Sequence, residues 1–316
     1  MEAGKRAGLL SRIGIEIGGT KLQLARAEGA GPISERRKLE VDSARGAEGI
    51  REQIASALPG LIGVSTIESV GVGFGGPVDW RSGRICVSHQ VPGWSEFDLA
   101  GWLRKITGAA VAVDNDANVA ALGEAHHGAG RGFNPVFYVT LGSGVGGGLI
   151  VDGRIFHGAV PGEAEIGHVR LDRNGTTVES RCSGWAIDGR IRELKSQSPV
   201  LTRLIGKACR GEAKFLAEAL KQADPVARDL LAELCEDLAF GLSHVVHLFH
   251  PQIIILGGGL AGLGEALRGG VEQALNGFIM EAFKPGPKLT LAALGEDAVP
   301  VGALELAANP SKAGKQ

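Results

Sequence analysis

Two glycine turns, each set between apolar strands and lying about 124 residues apart, constrain this chain more than any other feature. The first hairpin runs Ile13-Gly14-Ile15-Glu16-Ile17, turns through Gly18-Gly19-Thr20-Lys21 and returns as Leu22-Gln23-Leu24-Ala25-Arg26. The second runs Val136-Phe137-Tyr138-Val139-Thr140-Leu141, turns through Gly142-Ser143-Gly144-Val145-Gly146-Gly147-Gly148 and returns as Leu149-Ile150-Val151. Apolar alternation on both sides of a glycine turn predicts a β-hairpin. The separation is too long for a solenoid repeat and fits duplication of a whole lobe. The expectation is two similar α/β lobes facing a cleft, with a glycine turn on each wall. A chain of 316 residues suits two lobes of roughly 150 residues.

Further strands are expected at 69–74, 110–113 and 253–256. Helices are expected at 47–61, 99–107 and 119–127, across most of 187–248, and at 301–308. The 50 glycines follow no G-X-Y period, which excludes collagen, and 44% hydrophobic with 22% charged residues describes a globular chain. Lys+Arg 33 against Asp+Glu 35 gives a net charge of −2, so the broad electrostatic drive of nucleic-acid binders is missing. The longest apolar run, from Ile253 to the break at Glu265, falls short of the roughly 18 residues a membrane span needs. The opening dozen residues are basic but lack the apolar stretch of a signal peptide. Cys86, Cys182, Cys209 and Cys235 are scattered without a CxxC pair. A reduced, cytoplasmic protein is expected.

Gly142-Ser143-Gly144-Val145-Gly146-Gly147 satisfies GxGxxG, but the segment that follows reads as a returning strand and not as the helix that holds a pyrophosphate. Lys21 follows Gly-Gly-Thr without the spacing of a Walker loop. A glycine turn between strands can still cradle phosphate, because successive backbone N–H groups form an anion nest. Thr20, Lys21 and Ser143 add two hydroxyls and a cation. Either turn alone could be an ordinary hairpin turn; two, together with Gly257-Gly258-Gly259, favour phosphate. The segment Asp114-Asn115-Asp116-Ala117-Asn118 lies between a strand and a helix, where its polar side chains either cap the helix or supply a general base. Phosphoryl transfer asks for little beyond a base, positioning and electrostatic cover.

Gly14–Lys21, Asn115-Asp116, Thr140–Gly148, Glu165-Ile166-Gly167-His168 and Leu256–Gly259 resemble, in order, the motifs of the ROK family of repressors, open reading frames and sugar kinases. The resemblance extends from about residue 13 to 308. It implies a two-lobed actin-like, hexokinase-like ATPase fold with ribonuclease H-like lobes. The N-terminal lobe would cover 1–120 and be joined by the C-terminal helix region 296–316, and the second lobe would cover 121–295. ATP, Mg²⁺ and a hexose or N-acetylated amino sugar are the implied ligands, and a homodimer is the implied assembly. By the same resemblance Asp116 is the base that deprotonates a sugar hydroxyl. Gly76, Asn115, Glu165 and His168 would contact the sugar, with Glu179 joining them. Gly18, Gly19, Thr20, Lys21, Thr140, Gly142, Ser143 and Gly144 would bind the phosphates, and Gly257, Gly258 and Gly259 would lie near the adenosine.

The sequence departs from the family pattern at several points. Glu16 stands where relatives usually carry Asp, and Gln90 where they often carry Asn. The cysteine cluster that joins the His to form a zinc site is missing between His168 and Cys182, so no structural zinc is expected, and packing around Trp185 is expected to hold that loop. His244, His247 and His250 drift around a predicted helix and read as a packed or solvent-facing helix end; His126 and His127 read similarly. ROK repressors carry a helix-turn-helix domain before the first glycine motif, and about a dozen residues are too few for one. An ATP-dependent sugar kinase is therefore expected, with a catalytically silent sugar-sensing regulator as the alternative and a dehydrogenase a distant third.

Overall fold

The structure, a computed structural model, describes residues 10–63, 65–88, 91–162, 164–206 and 211–308; Gln90 and Cys209 lie outside these residues. It divides into two compact units. One comprises residues 1–127, 155–163 and 296–316, and the other residues 128–154 and 164–295.

In chain order the first unit begins with β1 (Leu10–Ile17), β2 (Lys21–Glu28), β3 (Ile33–Glu40), α1 (Gly46–Ile62) and β4 (Thr66–Phe74). There follow β5 (Val78–Asp79), β6 (Arg84–Ile85), α2 (Leu99–Thr107), β7 (Ala110–Asn115) and α3 (Asp116–His127). Five strands form one sheet in the order β3-β2-β1-β4-β7. β1 to β3 run antiparallel in sequence, while β1, β4 and β7 run parallel. Because Ile17 is level with Phe74, and Phe74 with Asn115, the carboxyl ends of three parallel strands stand side by side. The sheet forms because Ile13, Ile15, Ile17, Val70, Val72 and Phe74 supply a continuous buried set.

The second unit holds β8 (Val136–Leu141), β9 (Val145–Val151), the start of β10 (Arg154–Ile155), whose Ile155 belongs to the first unit, α4 (Val178–Cys182), α5 (Gly184–Leu194) and α6 (Pro199–Ile205). It continues with α7 (Leu216–Lys221), α8 (Pro225–Phe249), β11 (Ile253–Gly257), α9 (Glu265–Phe278) and β12 (Lys288–Leu291). Its sheet order, β10-β9-β8-β11-β12, repeats the first: an antiparallel hairpin with a third strand outside it, then two strands parallel to the hairpin's first. The duplicated α/β architecture expected from the two glycine hairpins is present.

The closing helix α10 (Ala298–Ala307) lies on β1, β4 and α3 of the first unit. Glycine makes this approach possible. A Cβ on Gly71 would fall 1.9 Å from Ala303 O, and one on Gly302 would fall 1.8 Å from Val119 O. Two ion pairs, Arg36 with Asp297 at 2.7 Å and Lys38 with Glu296 at 3.0 Å, tie β3 to the start of this helix.

Several boundaries differ from the sequence expectation. β3 was not expected, because Ile-Ser-Glu-Arg-Arg-Lys-Leu-Glu carries the charge of an exposed edge strand, which hides its alternation. β7 runs on through Asp114-Asn115, and α3 starts at Asp116 instead of 119, because Asn115 Oδ1 accepts the N–H groups of Ala117 and Asn118 at 2.8 and 3.3 Å. β9 begins at Val145, so the second glycine turn is only Gly142-Ser143-Gly144. The closing helix begins at Ala298 instead of 301. A boundary at 120 would cut α3, which stays whole in the first unit.

Gly302→Ala is expected to lower stability by about 2 kcal/mol or more, since backbone must move to admit the methyl group. Gly60→Ala, in α1 with open space around it, is expected to be neutral or to stabilise by up to about 1 kcal/mol. Urea unfolding of the two variants side by side checks both.

Candidate functional site

In the first unit the turn between β1 and β2 is closed by Gly18 N–H donating to Lys21 O at 2.9 Å. Glu16 is held across the hairpin by two β2 side chains: Lys21 Nζ lies 3.1 Å from Oε1, and Gln23 Nε2 donates to Oε2 at 2.6 Å. Gln23 is fully buried, and its Oε1 has no hydrogen-bond partner among the described residues. The end of β4 meets this turn, with Gly75 N–H donating to Ile17 O at 2.9 Å. A Cβ built on Gly75 would stand 3.4 Å from Asp116 Oδ2 and 3.7 Å from the Gly18 Cα. Gly75 is thus the gap through which the Asp116 carboxylate and the first glycine turn approach one another.

Asn115 is fixed from both ends, because its Oδ1 caps α3 and its Nδ2 donates to Gly76 O at 3.2 Å. Asp114 is almost fully buried. Its Oδ1 accepts from the Asn115 N–H at 2.8 Å and from Asn118 Nδ2 at 3.0 Å, and its Oδ2 lies 2.6 Å from His157 Nε2. The His157 ring stacks on Trp80, with centroids 4.1 Å apart and planes at 15°. Sequence reading missed His157 and Trp80. No spacing rule links residues 43 positions apart, and His157-Gly158 sits in a glycine- and proline-rich stretch that reads as loop.

In the second unit the predicted residues converge on the turn from Leu141 to Val145. Gly142 N–H donates to Gly144 O at 3.0 Å, and Gly184 N–H donates to Gly142 O at 2.7 Å. Glu179 Oε2 accepts the Val145 N–H at 2.9 Å, so one carboxylate oxygen braces the turn from α4. The Glu165-Ile166-Gly167-His168 segment packs on the same residue, since a Cβ on Gly167 would fall 2.2 Å from Val145 O. Glu165 and His168 themselves are exposed. Gly257 is level with Thr140 across β11 and β8. Gly258, at φ +79, is pressed against the Leu141 backbone, where a Cβ would have 2.6 Å. Gly259 stands apart, with nothing within 4 Å of the position a Cβ would take. The sequence-predicted residues therefore fall into two sets, one in each unit.

The loop after His168 is held differently from the expectation. Trp185 is 64% exposed and packs nothing together. Instead Leu171 N–H donates to Thr176 O and Val178 N–H donates to Val169 O. Asp172 accepts from the Thr176 hydroxyl and from the N–H groups of Asn174 and Thr176. The Thr176 hydroxyl first, then those backbone N–H groups, hold the Asp172 carboxyl below its ordinary range. Thr177 and Ser180 form a reciprocal capping box that starts α4.

Among the described residues no group of three or more His, Cys, Asp and Glu is arranged to hold a metal ion. Of the helix-end histidines, His244 Nδ1 faces Phe240 O at 2.9 Å, His247 Nε2 accepts the Met280 N–H at 3.1 Å and His250 stacks on Phe283. His126 and His127 lie beside Glu305. Burial pushes the Cys235 thiol up to about 11 and raises that of Cys182 as well, so both are neutral packing groups.

Comparison with known proteins agrees over nearly the whole chain. The ROK family matches residues 12–309. A glucokinase of Thermotoga maritima is 31% identical over 307 residues, 94% of this chain and 97% of that protein. A crystal structure of a ROK family glucokinase from Streptomyces griseus, in complex with glucose and AMPPNP, is 32% identical, with a TM-score of 0.82 over 94% of this chain and 99% of that one. The ROK hexokinase of Thermus thermophilus is 29% identical, with a TM-score of 0.77 over 96% and 100% of the two chains. Each duplicated sheet is accordingly a lobe of the actin-like, hexokinase-like ATPase fold.

Thr177→Ala is expected to cost about 1 kcal/mol through loss of the cap, read as a lower urea midpoint. The Asp172 contribution has the sign of a depressed carboxyl. It is fully present above about pH 4 and is lost as pH falls through the lowered folded value. Proteolysis between residues 170 and 178 should accelerate only at that acid end.

Proposed function

The chain belongs to the ROK family, and from that premise we propose that it transfers the γ-phosphoryl group of ATP to a hydroxyl of a hexose or N-acetylated amino sugar, with Asp116 as general base. The observation that carries this reading is the position of Asp116. Its carboxylate oxygen lies across the bare backbone of Gly75 from the Gly18 turn, so a base and a phosphate nest occur together in one unit. Asp116 accepts the proton of the sugar hydroxyl, the hydroxyl oxygen bonds to the γ-phosphorus, and the bond to the bridging oxygen breaks to release ADP.

Asn115 and Gly76, already joined by a hydrogen bond, are the proposed sugar contacts on either side of the base. Glu165 and His168, exposed on a short turn, offer a carboxylate and an imidazole to sugar hydroxyls. Glu179 has one oxygen committed to the Val145 N–H, which leaves the other to meet sugar. Gly18, Gly19, Thr20 and Lys21, with Thr140, Gly142, Ser143 and Gly144, are the proposed phosphate contacts. Gly257, Gly258 and Gly259 are proposed to lie beside the adenosine.

Mg²⁺ is expected with the nucleotide, and Glu16 with the orphaned buried Gln23 Oε1 beside it supplies oxygen acceptors suited to the water shell of the ion. When bound, the ion spreads the charge that builds on the transferred group. The relatives named above are glucokinases and a hexokinase, which makes glucose the first sugar to try.

The test is ADP release with Mg-ATP against glucose, fructose, mannose, allose, N-acetylglucosamine and N-acetylmannosamine. A rate with one of these is expected, and Asp116→Asn should lower kcat by about 10²–10⁴-fold while sugar still binds. Full activity in Asp116→Asn would remove it as the base. Sugar binding without any ADP release would favour the sugar-sensing regulator, a reading motivated by Glu16 in place of Asp. The loop after His168 is proposed to need no zinc, so EDTA followed by restored Mg²⁺ should leave both Tm and rate unchanged.

A further inference from the structure

We propose that His157 is a positioning residue for the Asn115–Asp116 motif, acting through the buried carboxylate of Asp114. The inference rests on the proposed role of Asp116, and its geometry lies wholly in the first unit. Asp114 is 2% exposed in an apolar strand, between Val113 and Asn115 of β7. A carboxylate there is costly unless its oxygens are hydrogen-bonded. Oδ1 serves the Asn115 N–H and the Asn118 amide, and Oδ2 faces His157 Nε2 at 2.6 Å, the short separation of a charge-assisted bond.

The consequence reaches the base through one turn of helix. Asn118 is held to Asp114 by its side chain and to Asn115 by its backbone, and Asp116 is the first residue of that turn. Without His157, the buried Asp114 Oδ2 would lose this partner and have to rotate or draw in water. Each of these loosens the Asn118 amide and re-aims the first turn of α3.

The imidazole also joins two segments that flank the proposed sugar contacts. Its ring lies on Trp80, four residues beyond Gly76, and its nitrogen reaches Asp114, the neighbour of Asn115. Asn115 Nδ2 closes the circuit on Gly76 O. His157 comes from residues 155–163, a stretch that the chain contributes to the first unit from within the sequence of the second. Among the described residues between Ile155 and Ile166, which form no strand or helix, His157 fastens the segment to the base motif.

Three full-length variants separate positioning from packing. His157→Phe keeps an aromatic ring for Trp80 and loses the N–H; His157→Gln keeps an N–H donor and loses the ring; Asp114→Asn removes the charge. Amide hydrogen exchange over residues 115–119 reads the first turn of α3 directly and needs no substrate. His157→Phe and Asp114→Asn are expected to raise exchange there about tenfold, and His157→Gln to stay near wild type. In the kinase assay, His157→Phe should lose about 30-fold or more in kcat/KM for sugar with the ATP KM within about twofold, and His157→Gln should recover most of that loss. Unchanged exchange in His157→Phe, or equal damage from Phe and Gln, overturns the inference. A wild type that phosphorylates no sugar overturns the kinase reading alone, because the exchange comparison still decides this one.

Discussion

Backbone meets backbone in this protein at positions where no side chain could stand between, and the fold depends on those approaches. Gly71 and Gly302 let α10 sit against β4 and α3, with carbonyl oxygens where a methyl group would be. Gly258 and Gly167 do the same in the second unit, pressing separate segments against the two ends of the Leu141–Val145 turn. A dense interior tolerates no void or overlap of even a methylene, so these contacts fix the spacing of neighbouring elements to within a fraction of an ångström. A chain with 50 glycines loses much conformational entropy on folding. In return it gains turns and close crossings that other residues cannot make.

The same device serves the candidate chemistry. Gly75 is bare where Asp116 and the Gly18 turn come together, and Gly144 is bare where the Glu179 carboxylate comes in from α4. Around these gaps the polar side chains restrain one another. Glu16 is held by Lys21 and Gln23, Asn115 by Gly76 and the start of α3, and Asp114 by Asn118 and His157. A carboxylate surrounded by partners that are themselves tied is kept in one geometry without relying on a rigid loop.

The doubled architecture was legible because two hairpins with apolar alternation and glycine turns are a local signal, and each local signal recurs with the same strand order. The edge strand β3 was not legible: its charges serve its neighbours, Arg36 and Lys38 reaching Asp297 and Glu296 from the far end of the chain. The start of α3 was misplaced because Asn and Asp at a strand end suit both extended backbone and a cap, and only the Asn115 hydrogen bonds decide between them. Asn115, Asp116, Glu165 and His168 were singled out through the order of motifs along the chain. His157 carries no such mark, since its meaning comes from Asp114 and Trp80 and exists only once the chain has folded.

The stretch from His168 to Glu179 is held by polar side chains that bond within their own neighbourhood. Family resemblance leads one to look for cysteines there, and the chain instead carries Asp172, Thr176, Thr177 and Ser180. Asp172, Thr177 and Ser180 each bind backbone within a few residues of themselves, and the Thr176 hydroxyl donates to the Asp172 carboxylate: Asp172 closes the turn, and Thr177 and Ser180 open the helix. Val178 is then fully buried in the second core, and Arg181 pairs with Asp237 of α8 at 2.7 Å, so α4 is anchored on both sides of Glu179. The carboxylate reaches Val145 because a self-capping turn delivers its helix to the right place.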